Sequence, residues 1–251
     1  MDAILVTAPP VHTDIDTLAC ATAYTELLNL TDHKATAILV GPLNQSITPS
    51  VQKWPFVYST TLSNKKRHQT VLVDSSDPGD LTSYLDPSEI YLLFDHHLGF
   101  EQFWAGRLGP NARIEKVGAC ATLIWEEFVK AKQSGKISWV SANLLYTAIF
   151  SNTLNLRSSI TTKRDHKAFI QLRTHTKLPK NWERIYYSEL EKSLFQNPVT
   201  SMKHDVRVVN YPNLPFKIAI GQLELWDSRK LISNYKLEIE KAISLFNQSH
   251  W

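Results

Sequence analysis

The chain has 251 residues, of which 43% are hydrophobic and 20% are charged, and its formal net charge at pH 7 is +3. These proportions are typical of a soluble globular protein, and the length allows one large domain or two smaller ones. The small net charge gives no support for a nucleic-acid-binding class, and the basic run at residues 65–68 is expected to be a solvated loop. No apolar stretch reaches about 18 residues and no cationic segment precedes the first strand, so neither a signal peptide nor a membrane span is expected. A cytoplasmic location is the default expectation.

The two cysteines, Cys20 and Cys120, both lie inside apolar helical patterns. This placement predicts two buried free thiols in a reducing compartment rather than a disulfide. The chain has no C-x-x-C pair, so a thiolate zinc site is not expected.

The first half of the chain alternates short apolar runs with helical patterns. Such alternation predicts a doubly wound α/β domain with a mainly parallel sheet and flanking helices. The first helix is expected at residues 15–30, strands at 3–7, 35–40, 70–73 and 90–94, and a short edge strand at 56–59.

The second half reads as mostly helical, with a composition shift near residues 177–181 that predicts a linker. This divides the chain into an α/β metal-binding domain at 1–176 and a smaller α+β C-terminal lobe at 182–251. Helices are expected at 118–131, 138–150, 163–173, 183–195 and 228–246, with strands at 206–209 and 217–225.

Acidic and imidazole side chains follow three of the predicted strands. Asp14 and Asp16 follow the first strand, Asp74 follows the strand at 70–73, and Asp95-His96-His97 follows the strand at 90–94. The carboxyl edge of an open parallel sheet is where α/β proteins place ligands. Carboxylate and imidazole ligands suit Mn²⁺, and two such ions can clamp a phosphoryl group. The pattern therefore indicates a metal site in which Asp74 bridges and a histidine supplies nitrogen.

A structural alternative exists for each of these residues. Asp16 can be read as the N-cap of the first helix, and a histidine after a strand can be an ordinary hydrogen-bonding partner. The convergence of three acidic strand ends favours the metal site.

On these residues the chain resembles the DHH phosphoesterase superfamily, and most closely the branch of manganese-dependent family II inorganic pyrophosphatases, exopolyphosphatases and prune-like proteins. The third motif is the tripeptide at 95–97, and a Gly118-x-x-Ala-Thr helix start follows it, as in the family. The resemblance spans nearly the whole chain, with matching segments at 10–16, 71–74, 95–97, 117–122, 151–165 and 218–225.

The resemblance implies a site and an activity. Asp14 and Asp74 would serve one metal, Asp16, Asp74 and His96 the other, and His97 and Arg207 would act as the catalytic and substrate-binding residues that face phosphate. The implied activity is hydrolysis of pyrophosphate, short polyphosphate or a small phosphate ester through metal-activated water. One or two Mn²⁺, Mg²⁺ or Co²⁺ ions would be the cofactors. The implied partner is the small substrate; a membrane is not expected, nucleic acid is disfavoured, and a homodimer is left open.

The chain departs from the family pattern at two expected metal ligands. Pro10 stands where the family has a histidine, and Asn152 stands where it has an aspartate, so Asn152 would offer only a neutral amide oxygen. His12 is either a substitute ligand or an exposed histidine with no such role. The C-terminal lobe also reads as shortened, and Ser228-Arg229-Lys230 falls outside the family position for its phosphate-gripping stretch. A degenerate protein that binds phosphate or a protein partner without turnover is therefore the alternative to a hydrolase.

Overall fold

A computed structural model describes residues 4–10, 12–61, 69–81, 85–203, 206–209, 214–216, 218–221, 223, 225 and 227–249. The chain divides into two compact units, one of residues 1–47 and 51–180 and the other of residues 48–50 and 181–251. The basic run at 65–68 and part of the strand predicted at 217–225 lie outside the described residues. The domain limits predicted from the sequence stay a prediction.

The first unit contains a five-stranded, fully parallel sheet in the order β2-β1-β3-β4-β5. The α/β fold class predicted from the sequence is confirmed. β1 and β3 are buried along their whole length, as their unbroken apolar sequences predict. The strands are β1 Ile4–Thr7, β2 Ala35–Ile38, β3 Thr70–Val73, β4 Ile90–Asp95 and β5 Ala112–Ile114.

Helices flank this sheet, and the N-cap side chains of α1, α4 and α5 bond to the first turns of their helices. The Thr162 side chain caps α5, and Asp165 returns a bond to the cap backbone, which completes a capping box. Ser138 caps α4, and its hydroxyl also donates to Glu26 of α1 at 2.6 Å, which ties two packed helices together. The helices are α1 Ile15–Leu30, α2 Glu101–Leu108, α3 Cys120–Lys130, α4 Trp139–Asn152 and α5 Lys163–Arg173.

The strand order places a topological switch point between β1 and β3. The chain passes from β1 outward to β2 and then returns to the other side of β1 as β3. In open α/β sheets, the crevice outside the carboxyl ends of the strands at such a point is where ligands bind. The loops that follow β1 and β3 carry the acidic residues that the sequence singled out, so the topology brings those residues to one crevice.

The second unit is smaller and mixed in structure. β6 and β7 form an antiparallel pair, in which Val206 pairs with Gly221. Ser50 donates through its hydroxyl at 2.6 Å and its backbone N–H at 2.9 Å to Glu189, so residues 48–50 belong to this unit. None of the helices in the described ranges combines the length and apolar character that a membrane crossing requires. The elements are α6 Trp182–Gln196, α7 Pro198–Lys203, β6 Val206–Val209, β7 Ile218–Gly221 and α8 Arg229–Ser249.

Several details differ from the sequence expectations. The short helices α2 and α7 and the strand β5 were not predicted. Helix α2 fully buries only Trp104, and β5 has just three half-buried residues. The edge strand expected at 56–59 is reduced to one bridge between Ile38 and Ser59. Helix α4 continues to Asn152, two residues beyond its predicted end.

Candidate metal centre

The loop after β1 holds the first acidic pair. Thr13 fastens this loop to the segment after β2, since its backbone N–H donates to Pro42 at 2.9 Å and its hydroxyl to Gly41 at 3.1 Å. Asp14 is the N-cap of α1 and accepts from the Thr17 N–H at 2.8 Å. Asp16, which the sequence left as a possible cap, lies inside the first turn of the helix instead. Asp14 is therefore the cap of α1, and Asp16 is a residue of its first turn.

The Asp16 carboxylate is fully buried and accepts several hydrogen bonds. The backbone N–H groups of Cys120 and Ala121, at the start of α3, each donate to it at 2.8 Å. Asn152 donates from Nδ2 at 2.7 Å, and the Cys20 thiol lies 3.4 Å away. Burial, reinforced by the charge of Asp14, nevertheless raises the pKa of Asp16 to about 7.

Asp74, directly after β3, has one oxygen satisfied and one orphaned. Its backbone has a φ of 60°, in the left-handed region that costs a non-glycine residue free energy and that clusters at functional sites. Oδ2 accepts from the Thr17 hydroxyl at 2.7 Å, whereas the buried Oδ1 has no hydrogen-bond partner among the described residues. Burial, followed by the charges of Asp16 and Asp14, raises the pKa of Asp74 well above its ordinary value. An orphaned buried carboxylate oxygen fits a site that a cation completes.

His96 presents one ring nitrogen to these acids. Its Nδ1 lies 3.3 Å from the carbonyl oxygen of Val117, which can only accept, so the proton belongs on Nδ1. Nε2 then points its lone pair into the crevice, 3.5 Å from Asp74 Oδ1 and 3.7 Å from Asp16 Oδ2. Burial, followed by the charge of His97, lowers the pKa of His96 to about 4. His96 is therefore a neutral imidazole at physiological pH, the form that ligates metals.

Asp95 positions His97. Its Oδ1 lies 2.8 Å from His97 Nδ1 and also accepts the backbone N–H groups of His96 and His97, at 2.7 and 3.1 Å. Burial raises the pKa of Asp95, but the His97 hydrogen bond and charge outweigh it, and the net pKa is lowered. The His97 side chain is 35% exposed, so a molecule entering from solvent can reach it.

The donor set of this crevice fits a divalent cation. One ligand atom from each of Asp74, His96 and His97 lies within 4.8 Å of the others. A carboxylate oxygen with imidazole nitrogens suits Mn²⁺ and similar ions. His96 Nδ1 bonds to the Val117 carbonyl, and a bond of this kind from the other ring nitrogen orients metal-bound histidines.

The other predicted site residues are placed as follows. Asn152 lies at the end of α4, within hydrogen-bonding reach of Asp16. His12 lies in the β1–α1 loop, and Gly41 packs closely against its backbone. Arg207 lies in β6 of the second unit. The roles assigned to these residues stay predictions.

Sequence reasoning missed the residues that hold the start of α3 in place. Gly118 donates its N–H to the buried Asp165 at 2.9 Å, and the Thr122 hydroxyl donates to the same carboxylate at 2.6 Å. A Cβ on Gly118 would lie 2.5 Å from Cγ2 of Thr153, so only glycine fits. The Gly118-x-x-Ala-Thr122 pattern was the available signal, because this helix start supplies the N–H groups that bind Asp16.

No family model matches the chain. The curated relatives include probable manganese-dependent inorganic pyrophosphatases from Lactobacillus johnsonii, 26% identical over 161 residues, and from Bacillus pumilus, 30% identical over 165 residues. Each alignment covers 63% of this chain, and 50% and 51% of the respective relatives. The chain thus spans about half the length of the curated relatives it matches.

Two solved structures share the fold. A putative family II inorganic pyrophosphatase from Methanococcus jannaschii gives a TM-score of 0.71 at 20% identity, over 98% of this chain and 80% of that one. An exopolyphosphatase-related protein from Bacteroides fragilis gives 0.54 at 12% identity, over 83% and 62%. At these identities the two solved structures support the fold assignment alone.

The fold and the crevice define a class: a parallel α/β protein whose acidic and imidazole side chains meet at the switch point of the sheet. Within that class the chain resembles the DHH-type family II inorganic pyrophosphatases and exopolyphosphatases. The resemblance predicted from the sequence motifs is confirmed.

Proposed function

We propose that this protein is a divalent-metal-dependent phosphohydrolase that acts on pyrophosphate, short polyphosphate or a small phosphate ester. The observation that carries the proposal is the buried, unpartnered Oδ1 of Asp74 beside the lone pair of a neutral His96. Neither atom is satisfied by the protein, and a divalent cation would satisfy both. The relatives named manganese-dependent inorganic pyrophosphatases support this choice of ion and substrate.

In this proposal the residues have distinct roles. Asp74 and His96 hold the ion, and Asp14 adds negative charge beside it. A divalent ion in this position supplies the positive charge that polarises a phosphoryl group and eases deprotonation of water. Hydrolysis adds one water and breaks one P–O bond, so pyrophosphate gives two phosphate ions.

His97 is the proposed contact to the phosphoryl oxygens. Asp95 fixes its Nδ1, and the ring is partly exposed, so a substrate that enters from solvent can reach it. A charged or hydrogen-bond-donating group held rigidly at this point stabilises charge that develops on the phosphoryl oxygens. The role of Arg207 stays a prediction from the sequence.

One observation favours a second candidate function. Asn152 brings an amide N–H, rather than a carboxylate, to Asp16, and Pro10 cannot ligate a metal through its side chain. Both differences remove negative charge or ligand atoms from the crevice. The second candidate is therefore a phosphate-binding protein without turnover.

A phosphate-release assay separates the two. Wild-type protein, Asp74→Asn and Asp77→Asn are compared with pyrophosphate and tripolyphosphate under Mn²⁺, Co²⁺ and Mg²⁺. Asp77 is a matched control, since it caps the short turn that begins at Pro78 and asparagine caps equally well. The proposal expects release by wild type and Asp77→Asn and loss of release in Asp74→Asn. Absence of release from wild-type protein with every ion, together with a thermal shift on phosphate addition, would establish the second candidate instead.

A further inference from the structure

Thr17 contacts two acids of the crevice at once. Its backbone N–H donates to Asp14 Oδ1 at 2.8 Å, and its hydroxyl donates to Asp74 Oδ2 at 2.7 Å. Thr17 lies in the first turn of α1 and is only 6% exposed. A residue of the first helix therefore fixes one oxygen of an acid that comes 57 positions later in the chain.

The backbone of Asp74 is held by the sheet, whereas its carboxylate is held by Thr17. The Asp74 N–H donates to the Phe94 carbonyl at 2.8 Å, which ties the end of β3 to β4. Rotation about the last side-chain bond of an aspartate is broad, so the backbone alone does not choose which oxygen faces His96. Among the described residues, the Thr17 hydroxyl is the one hydrogen-bond donor to this carboxylate. Its bond to Oδ2 leaves Oδ1 as the oxygen that lies 3.5 Å from His96 Nε2.

A neutral hydroxyl suits this position better than a cationic side chain. Threonine has one O–H to donate and carries no charge. It therefore orients the carboxylate and leaves the negative charge for a cation, whereas a lysine or arginine would neutralise the acid and repel the ion. In the ranges that the structure describes, no lysine or arginine forms an ion pair with Asp74, whose basic partner is His96.

Building on the proposed function, we infer that Thr17 is a positioning residue of the metal centre, whose hydroxyl holds Asp74 so that Oδ1 faces His96 Nε2 and binds the divalent ion. Thr17 acts through Asp74 and is not itself a ligand. Loss of the hydroxyl would leave both oxygens of Asp74 without a donor and free the carboxylate to turn. Hydrogen-bonding partners of metal ligands typically contribute about 10–100-fold to metal affinity.

Mn²⁺ binding by three variants tests this role. Thr17→Val removes the hydroxyl and keeps the branched shape, whereas Thr17→Ser keeps the hydroxyl. Thr22→Val is the matched control, because it makes the same change in the same helix, at a buried hydroxyl oxygen with no hydrogen-bond partner in the described part of the chain. The dissociation constant of Mn²⁺ is measured by calorimetric titration. The EPR spectrum is recorded at saturating Mn²⁺, because its line widths report how the ligands of the ion are arranged.

We expect Thr17→Val to raise the dissociation constant at least about tenfold and to change the EPR spectrum, with wild-type behaviour in Thr17→Ser and Thr22→Val. Unchanged affinity or an unchanged spectrum in Thr17→Val would overturn the inference, as would an equal loss of affinity in Thr17→Ser or Thr22→Val. Absence of Mn²⁺ binding by wild-type protein would overturn both the inference and the proposed function. Mn²⁺ binding without phosphate release would overturn the proposed function alone.

Thr17→Ala covers the case in which Thr17→Val shows no thermal unfolding transition. Alanine removes the hydroxyl and introduces no group that needs new space, so the same loss of Mn²⁺ affinity is expected. Wild-type affinity in Thr17→Ala would contradict the inference. Failure of both variants to fold would assign Thr17 to the stability of the fold instead of the metal centre, and would overturn the inference as well.

Discussion

Oδ1 of Asp74 lies 3.5 Å from Nε2 of His96, and the side chains of both residues are more than nine-tenths buried. Neither atom has a proton to offer the other when the carboxylate is ionised and the His96 proton sits on Nδ1, facing Val117. Two acceptors held this close in a dry crevice are stabilised when a cation, or a proton on the carboxyl, lies between them. Asp74 Oδ1 and His96 Nε2 are therefore the two atoms between which the proposed cation would lie.

Replacing His96 should weaken metal binding more than it weakens the fold. His96→Gln keeps a side chain that can donate to Val117 but replaces the imidazole lone pair with a poorer ligand atom. We expect Mn²⁺ affinity to fall by at least about tenfold, measured by calorimetric titration. His33→Gln is the control, since His33 is exposed and its ring bonds to the Thr31 hydroxyl in the α1–β2 turn, away from the crevice residues. Equal affinity in His96→Gln and wild type would remove His96 from the centre.

Gly118→Ala should destabilise the protein. The added Cβ would lie 2.5 Å from Thr153 Cγ2 and 3.1 Å from Asp165 Oδ2, both in fully buried residues. Overpacking of this kind costs about 1–3 kcal/mol, which urea unfolding resolves.

Gly106 provides the comparison for that experiment. It is exposed in α2, and a Cβ there would meet nothing within 4 Å. Gly106→Ala should therefore raise the free energy of unfolding, by about 0.5–1 kcal/mol, because alanine favours the helix. A Gly118→Ala protein as stable as Gly106→Ala would contradict the close packing between Gly118 and Thr153.

The sheet was predictable from the sequence because its central strands are buried on both faces. Residues 70–73 form an unbroken apolar run, and the structure has β3 over the same residues. Helix α2 was not predicted in this way, since it has only eight residues and fully buries only Trp104, which donates to the Ser76 carbonyl at 2.7 Å. Phe103 and Leu108 pack against the same core while partly exposed, so the apolar pattern of α2 is short.

The site was predictable as a set of residues but not as a set of contacts. The acids at strand ends could be found from sequence because parallel strands deliver their carboxyl ends to one edge. The bond between Asn152 and Asp16 joins residues 136 positions apart, and the bond from Thr17 to Asp74 joins residues 57 apart. Which oxygen is satisfied and which is orphaned depends on these tertiary contacts.

Asp165→Ala should be among the more destabilising substitutions in the first unit. The carboxylate accepts from Gly118 N–H, from the Thr122 hydroxyl and from both the N–H and the hydroxyl of Thr162. Without it these buried donors lose their acceptor, at about 1–3 kcal/mol each. We expect a loss of at least about 3 kcal/mol in chemical unfolding. Thr122→Val removes one donor and leaves the Asp165 carboxylate in place, so it should cost distinctly less stability. Equal losses in the two variants would mean that the carboxylate is not the shared acceptor that stabilises this region.

The stability of the metal-free protein should fall as the pH rises above 6.5. Burial and the charge of Asp14 raise the pKa of Asp16 to about 7, against about 3.9 for aspartate in an unfolded chain. A raised folded-state pKa gives stability that is complete below the unfolded value and is lost as the pH rises through the folded value. Asp74, whose pKa is raised by burial and by the charges of Asp16 and Asp14, acts in the same direction.

His96 acts in the opposite direction and in a different window. Burial and the charge of His97 lower its pKa to about 4, so its contribution is complete above the unfolded value of about 6.5 and is lost as the pH falls toward 4. Between pH 6.5 and 8, Asp16 and Asp74 rather than His96 therefore determine whether the free energy of unfolding rises or falls with pH. Urea unfolding with a chelator present should show the free energy of unfolding declining, by at most about 1.4 kcal/mol per pH unit for each carboxyl. Asp16→Asn should reduce this slope, because asparagine does not titrate, and an unchanged slope would show that Asp16 does not carry the proton in the folded protein.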